Sequence, residues 1–260
     1  MPDPTPIETA GDSSPENPAS PPLWSKVART VVGNVVVLVD TVVLGFLASL
    51  AGWIPPRGYW MYRLAQLWSR INLWVCGVCV RVSFEEPLDP NRGWVFMANH
   101  QSMFDIPVLI ASIPGQARFM AKKGLFRIPI FGWALSAGGF IPVDRGNKKA
   151  AADTYRAAVD RISKGHSILI FPEQTRSPDG ELLPFKRGGV VIAQQTGAPI
   201  VPVAIRGTRE IRPKGSSLII PGSVDVRYGK PVDLADLEDL SQAEQVARIR
   251  EEIERLLARP

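Results

Sequence analysis

The stretch FMANHQSMFD, residues 96–105, closes an apolar run and places one of the chain's two histidines five residues before an aspartate. The run itself, GWVFMA (93–98), reads as a strand, and residues 102–112 beyond it read as a helix. In layered α/β sheets, function collects beyond the carboxyl ends of the strands, and NHQSMFD sits there. Residues five apart on a regular helix face apart. With His100 just before the helix and Asp105 inside it, the two side chains can instead meet across the turn. Such a pair is a base and the carboxylate that fixes its tautomer. The same residues also fit a plainer arrangement, in which Asn99 or Ser102 caps the helix and Asp105 is a first-turn acid favoured by the helix dipole.

Downstream, short apolar runs alternate with amphipathic stretches. QARFMAK (116–122), GFIPV (139–143), SILIFPE (167–173) and PIVPVAIRG (199–207) read as strands, and SSLIIPGSVDVRYG (216–229) reads as a β-ribbon. KKAAADTYRAAVDRISKG (148–165) reads as a helix closed by Gly165, with further helices over 188–197 and 241–259. The alternation predicts an α/β fold, with a layered, mostly parallel sheet and flanking helices.

Upstream, the first 25 residues are rich in Pro and Ser and carry four acids with no Lys or Arg. They lack the apolar surface that would offset the entropy of ordering, so residues 1–23 read as a disordered tail. With the tail's four acids set aside, the whole-chain net charge of +5 becomes +9. A basic body suits nucleic acid, an anionic membrane or a phosphorylated substrate. From Val27 an apolar segment follows, long enough to cross a bilayer though interrupted by Asn34 and Asp40. An ionised Asp at mid-depth costs at least ~2.5 kcal/mol, so Asp40 must be paired, protonated or near water. PPRG (55–58) breaks the helix, and a second segment brings five Tyr or Trp side chains among Arg63 and Arg70. Residues 24–82 therefore read as a membrane-associated helical hairpin, shallow or re-entrant because Arg57 stands at its turn; a helix pair buried on the body is the alternative. The only cysteines, in CGVC at 76–79, read as two small buried hydrophobes.

Two more clusters follow strands. In AKKGLFRIPIFGW (121–133), two lysines can hold a phosphate as point charges or mark an ordinary loop, and in FPEQTRSPDG (171–180), Arg176 can grip one by two hydrogen bonds or pair with Glu173 or Asp179 on the surface. In order, the chain shows N-H-x4-D, A-K-x-x-L-F-x-x-P-x-x-G, F-P-E-x-T-R-S and V-P-V. Over roughly residues 70–230 it resembles the glycerolipid acyltransferase family, most closely the 1-acyl-glycerol-3-phosphate acyltransferases. The resemblance implies that His100 and Asp105 are catalytic. It implicates Lys122, Glu173, Arg176 and Arg145 in holding the substrate phosphate, and Val201, Pro202 and Val203 on the acyl-donor side. The family pattern in the third motif is E-G-T-R; here Gln174 stands where glycine is usual.

The resemblance further implies acyl transfer from acyl-CoA or acyl carrier protein to a lysophosphatidate-type acceptor, without cofactor or metal. The partners would be membrane lipids and these substrates, with no nucleic acid. The site of action would be a membrane, the cytoplasmic face of a bacterial inner membrane. Residues 83–260 would form the catalytic domain. Another lysolipid acceptor, a lipid-acting hydrolase or transacylase, or a membrane lipid-binding scaffold without catalysis stays open at this point.

Overall fold

A computed structural model describes residues 22–52, 54, 58–144 and 148–259. Residues 1–21 of the expected tail lie outside the described residues, as do Pro55, Pro56, Arg57 and Arg145. Two long helices come first, α1 (Leu23–Ala51) and α2 (Tyr59–Val75). Then follow β1 (Val78–Phe84), β2 (Val95–Ala98), α3 (Asp105–Ser112) and β3 (Ala117–Lys122). After a 3₁₀ turn (Lys123–Arg127) come α4 (Phe131–Ala137), β4 (Ile141–Val143), α5 (Lys148–Ser163) and β5 (Ser167–Ile170). The remainder is α6 (Gly188–Thr196), β6 (Ile200–Arg206), α7 (Thr208–Ile211), β7 (Gly222–Tyr228) and α8 (Gln242–Ala258).

The seven strands form one sheet in the order β1-β7-β6-β2-β5-β3-β4. Every pairing is parallel except β6 with β7. Parallel neighbours need crossovers, and helices supply them on both faces, so the central strands are apolar throughout rather than alternating. In β2, Phe96 and Ala98 point into the layer under α2 and α3, while Val95 and Met97 point into the layer under α6 and α8. Leu169 of β5 and Val201 and Val203 of β6 join the first layer; Ile168, Ile170 and Ile200 join the second. The closing helix enters through a reciprocal cap between Ser241 and Glu244, then buries Ile249, Ile253 and Leu256 at helical spacing.

The expected hairpin is present but shorter. Helix α2 ends at Val75, because Gly77 takes a left-handed φ of 68°. The chain then enters the sheet, so residues 78–82 are strand, pairing in parallel with β7 from Val78↔Gly222 to Phe84↔Tyr228. Cys76 is buried as expected, whereas Cys79 is exposed on this edge strand. Nor do residues 216–229 form a ribbon. Only Gly222–Tyr228 is strand, because the Ile219 N–H is taken by Thr30 Oγ of α1 (2.9 Å) and that of Ile220 by the Ile211 carbonyl.

Helix α1 shows two faces. Its outer face exposes an apolar stripe that includes Val35, Leu38, Val42, Phe46 and Leu50. Its inner face is tied to α2 by polar bonds: Asn72 Nδ2 donates to Asp40 Oδ2 (2.8 Å), and Trp68 Nε1 donates to Thr41 Oγ (2.9 Å). Asp40 is thus hydrogen-bonded at Oδ2, while Oδ1 is buried without a partner among the described residues. Of the five rings expected at a lipid–water boundary, Tyr62 is buried and Trp68 serves this interhelical bond. Tyr59, Trp60 and Trp74 remain exposed.

At the amino ends of β3 and β5 lies a buried cationic cluster. Arg118 is 1% exposed, beneath the Tyr62 ring, and donates to Gln116 Oε1 (2.7 Å). Burial, then the charges of Arg118, Arg161 and Lys164, push the His166 imidazole down to about 4, with Asp160 opposing them weakly. A histidine depressed below its unfolded value of about 6.5 binds more protons when unfolded, so stability rises with pH across that window. The His166 contribution should therefore lower the melting temperature as pH drops from about 6.5 towards 5. His166→Gln should flatten that slope, as read by thermal melts at a series of pH values.

Candidate active site

Strand β2 ends at Ala98, at the centre of the sheet, between β5 and β6. From there the chain leaves towards β3 on one side, while β6 and β7 lie on the other. This switch point opens a crevice at the strand ends. Asn99 extends the ladder without being strand: its side chain donates to the Ile205 carbonyl (2.9 Å) and accepts the Ile205 N–H (2.7 Å).

The next residues turn around Asp105. Its carboxylate is fully buried. Oδ2 accepts from the His100 ring at Nδ1 (2.7 Å), from the Gln101 N–H (2.7 Å) and from the Ser102 N–H (2.9 Å). Oδ1 accepts from the Thr208 hydroxyl. So His100 and Asp105 do meet across the turn. Ser102 accepts from the Phe104 N–H (3.3 Å) and donates to the Arg212 carbonyl (2.8 Å). The His100 ring stacks on Phe171, centroids 4.0 Å apart. Its Nε2 has no partner among the described residues, and the side chain lines a cavity of about 610 Å³.

That cavity lies between the helical hairpin and the carboxyl ends of β2, β3 and β5. Leu44 and Ala48 of α1, Met61 and Leu64 of α2, and Phe119, Leu135 and Phe140 make one part apolar. His100, Lys122, Tyr155, Gln174 and Lys186 make the other part polar, with two lysines against one acid, Asp144, which pairs with Lys123. The turn after Lys122 depends on Gly132, where any Cβ would come 2.3 Å from the Phe126 carbonyl oxygen. That contact accounts for the glycine three residues after Pro129.

The expected phosphate ligands separate. Lys122 ends β3 on the cavity wall, its ammonium without a hydrogen bond or ion pair to a described residue; its neighbour Lys123 pairs with Asp144 (3.4 Å). Arg176 is half-buried, its guanidinium likewise unpaired among the described residues, and it stands outside the cavity wall. Glu173 does not fit a phosphate role. It is 5% exposed, and its oxygens accept the N–H groups of His100 (2.8 Å) and Leu183 (3.1 Å). A carboxylate offers only acceptors, which a phosphate cannot use. Burial pushes the Glu173 carboxyl above its ordinary value, and the two amides pull the other way. Its job is to brace His100, whose carbonyl also accepts the Ser177 N–H (2.8 Å). Val201, Pro202 and Val203 lie in β6, the two valines fully buried in the layer under α2 and α3. They shape the strand beside β2 and do not reach the cavity surface, because every side chain of that run is enclosed by the sheet's two layers.

Lys186 and Thr208 escaped the sequence reading. A lysine two residues before the glycine pair that opens α6 was a usable signal for Lys186. Thr208, 103 residues from Asp105, had none. The departure at Gln174 has a physical meaning here. Its φ is 61°, the left-handed region that glycine enters freely and that costs another residue on the order of 1 kcal/mol.

The layered α/β fold thus sets a buried carboxylate–imidazole pair against a cavity that is polar on one side and apolar on the other. Residues 79–206 match the family model described as Acyltransferase. The chain is 37% identical over 170 residues to a chloroplastic 1-acyl-sn-glycerol-3-phosphate acyltransferase of Brassica napus, covering 65% of this chain and 49% of that one. It is 30% identical over 206 residues to the 1-acyl-sn-glycerol-3-phosphate acyltransferase of Pseudomonas aeruginosa, covering 77% of this chain and 79% of that one. The crystal structure of the 1-acyl-sn-glycerophosphate acyltransferase PlsC of Thermotoga maritima superposes with a TM-score of 0.77 at 26% identity, over 91% of this chain and 99% of that one. The chain belongs to the 1-acyl-sn-glycerol-3-phosphate acyltransferase family. It spans about half the length of the chloroplastic relatives it matches.

The brace makes a prediction of its own. Glu173→Ala leaves two amide donors buried without acceptors, which should destabilise the fold by about 1–3 kcal/mol. Thermal melts should show a drop of several degrees, and turnover should fall with the loss of the His100 setting. An unchanged melting temperature would exclude the bracing role.

Proposed function

We propose that this protein transfers an acyl chain from an acyl thioester to the free hydroxyl of a lysophosphatidate-type acceptor, giving phosphatidate. The observation that carries this reading is the His100–Asp105 pair with Nε2 open to a cavity that is cationic at one end and apolar at the other. Asp105 holds Nδ1, which leaves Nε2 as the acceptor of a proton. His100 takes the hydroxyl proton as the oxygen attacks the thioester carbonyl. The tetrahedral oxyanion collapses, the C–S bond breaks, and the thiolate leaves with the proton from the imidazolium. Acyl-CoA and acyl carrier protein both present such a thioester, and the scheme needs no cofactor beyond it. Lys122 and Lys186 on the wall, with Arg176 at the rim, hold the acceptor phosphate so that its hydroxyl meets His100. The apolar part of the cavity takes an acyl chain.

The test is turnover of labelled acyl thioester with lysophosphatidate in vesicles. A general base supplies typically 10²–10⁴ in rate. His100→Ala should lose that factor or more in kcat, and Asp105→Asn at least 10²-fold, with circular dichroism unchanged. Lys122→Ala should instead raise KM for the acceptor roughly ten- to hundredfold, the value of one charge-assisted contact of about 1.5–3 kcal/mol. Near-normal turnover in folded His100→Ala would end the mechanism.

The same reading puts α1 in the bilayer. It is the one helix among the described residues long and apolar enough to cross a membrane, and only 17% of its most apolar window is buried. A lysolipid is met at the membrane surface, and acyl thioesters are made in the cytoplasm, so the cytoplasmic face of a bacterial inner membrane is the proposed site. Apolar burial resists salt, whereas a basic surface alone does not. The full chain should stay with membranes through high salt and carbonate washes; release by salt alone would show a purely electrostatic attachment.

A further inference from the structure

The turn that braces His100 holds a strained residue. Among the described residues only Ile130 and Gln174 are non-glycines with positive φ. Among the described residues no hydrogen bond offsets the strain at Gln174 beyond those glycine would make. Its backbone N–H donates to the Phe171 carbonyl (3.0 Å), a bond that glycine would make equally well. Its side chain is exposed and makes no hydrogen bond to a described residue. What the side chain does is line the cavity that holds His100. Lys186 lines it too, and the Lys186 N–H donates to the Pro172 carbonyl (2.9 Å), so the strained turn and the lysine are held as one piece. Strain of this kind collects where a fixed geometry serves a ligand.

We propose that Gln174 is a specificity-determining residue whose carboxamide donates an N–H to the acceptor's phosphate monoester beside Lys186. The inference rests on the proposed lysophosphatidate-type acceptor. A carboxamide adds a directed donor without adding charge. Its Cβ and Cγ also occupy space that glycine would leave open at the cavity mouth. A phosphodiester lysolipid carries a further group on its phosphate that clashes with that side chain; a monoester has no such group. Gln174 thus both recognises the monoester and obstructs the larger head group, the two halves of discrimination.

The experiment compares full-length wild type, Gln174→Gly and Gln174→Ala in vesicles. Lysophosphatidate and lysophosphatidylglycerol serve as acceptors, and thermal melts are run with and without each lysolipid. Both variants should raise KM for lysophosphatidate roughly ten- to hundredfold, the worth of one hydrogen bond to a charged group, and leave KM for the acyl donor unchanged. The preference for lysophosphatidate over lysophosphatidylglycerol should fall most in Gln174→Gly. Gln174→Gly should also melt higher than Gln174→Ala, because only glycine relieves the strain. Unchanged acceptor KM and preference in both variants, with a higher melting temperature for Gln174→Gly, would reduce Gln174 to a strained turn residue and overturn the proposal. Wild type that transfers no acyl chain to lysophosphatidate but is stabilised by it, more than Gln174→Ala is, would refute the reaction and keep the contact. Wild type neither active with lysophosphatidate nor stabilised by it would overturn both.

Discussion

Asp105 is buried completely, and a carboxylate cut off from water must find its donors in the protein or lose its charge. It finds four: an imidazole nitrogen, two backbone amides of its own turn, and the hydroxyl of Thr208 from the far side of β6. Satisfying one charge therefore sets the path of residues 100–102, the start of α3, and the docking of α7. Charge-assisted hydrogen bonds are the strong ones, so this turn is fixed before any ligand arrives. The imidazole is one of the four donors, so its orientation follows from the folding of the turn.

A second buried carboxylate repeats the device at longer range. Glu173 reaches from the loop after β5 to the amide of His100 and to that of Leu183. The two loops are joined further by the Ser177 amide on the His100 carbonyl and by Gln101 Nε2 on the Gly180 carbonyl (3.0 Å). The loops after two neighbouring parallel strands thus form one rigid shelf under the imidazole. Positive charge stays outside this shelf. Lys122 and Lys186 stand at the cavity without internal carboxylate partners among the described residues, which leaves them for an anion.

This division explains what could be read from the sequence. His100 and Asp105 lie in one turn, so their meeting was legible from spacing and the strand before them. The parallel sheet was legible because its core strands are apolar on both faces. The bracing role of Glu173 was not legible because one of its two amide partners, that of His100, is 73 residues away and nothing local distinguishes a bracing carboxylate from a ligand-facing one. The strand at 78–84 was hidden in an apolar stretch, although Gly77 was an available stop signal for the helix before it. The loop at 216–221 has an Ile-rich pattern that suits a strand, but the amides of Ile219 and Ile220 are committed to Thr30 and Ile211, partners set by tertiary packing.

The hairpin belongs to the same argument. Its polar residues are turned towards each other, Asp40 to Asn72 and Thr41 to Trp68, and its outer stripe is left apolar. Polar groups that bond across two helices fix their register, because in apolar surroundings there is no other partner to exchange for. A fixed register matters here, since Leu44 and Ala48 on one helix and Met61 and Leu64 on the other form a wall of the cavity. The surface that would face lipid and the surface that would face an acyl chain are then two sides of the same helix. An acyl chain in the cavity would lie only one helix thickness from the bilayer, with its head at the cationic end beside His100. A soluble domain merely tethered by an anchor would not need that wall; in this fold the site is incomplete without it.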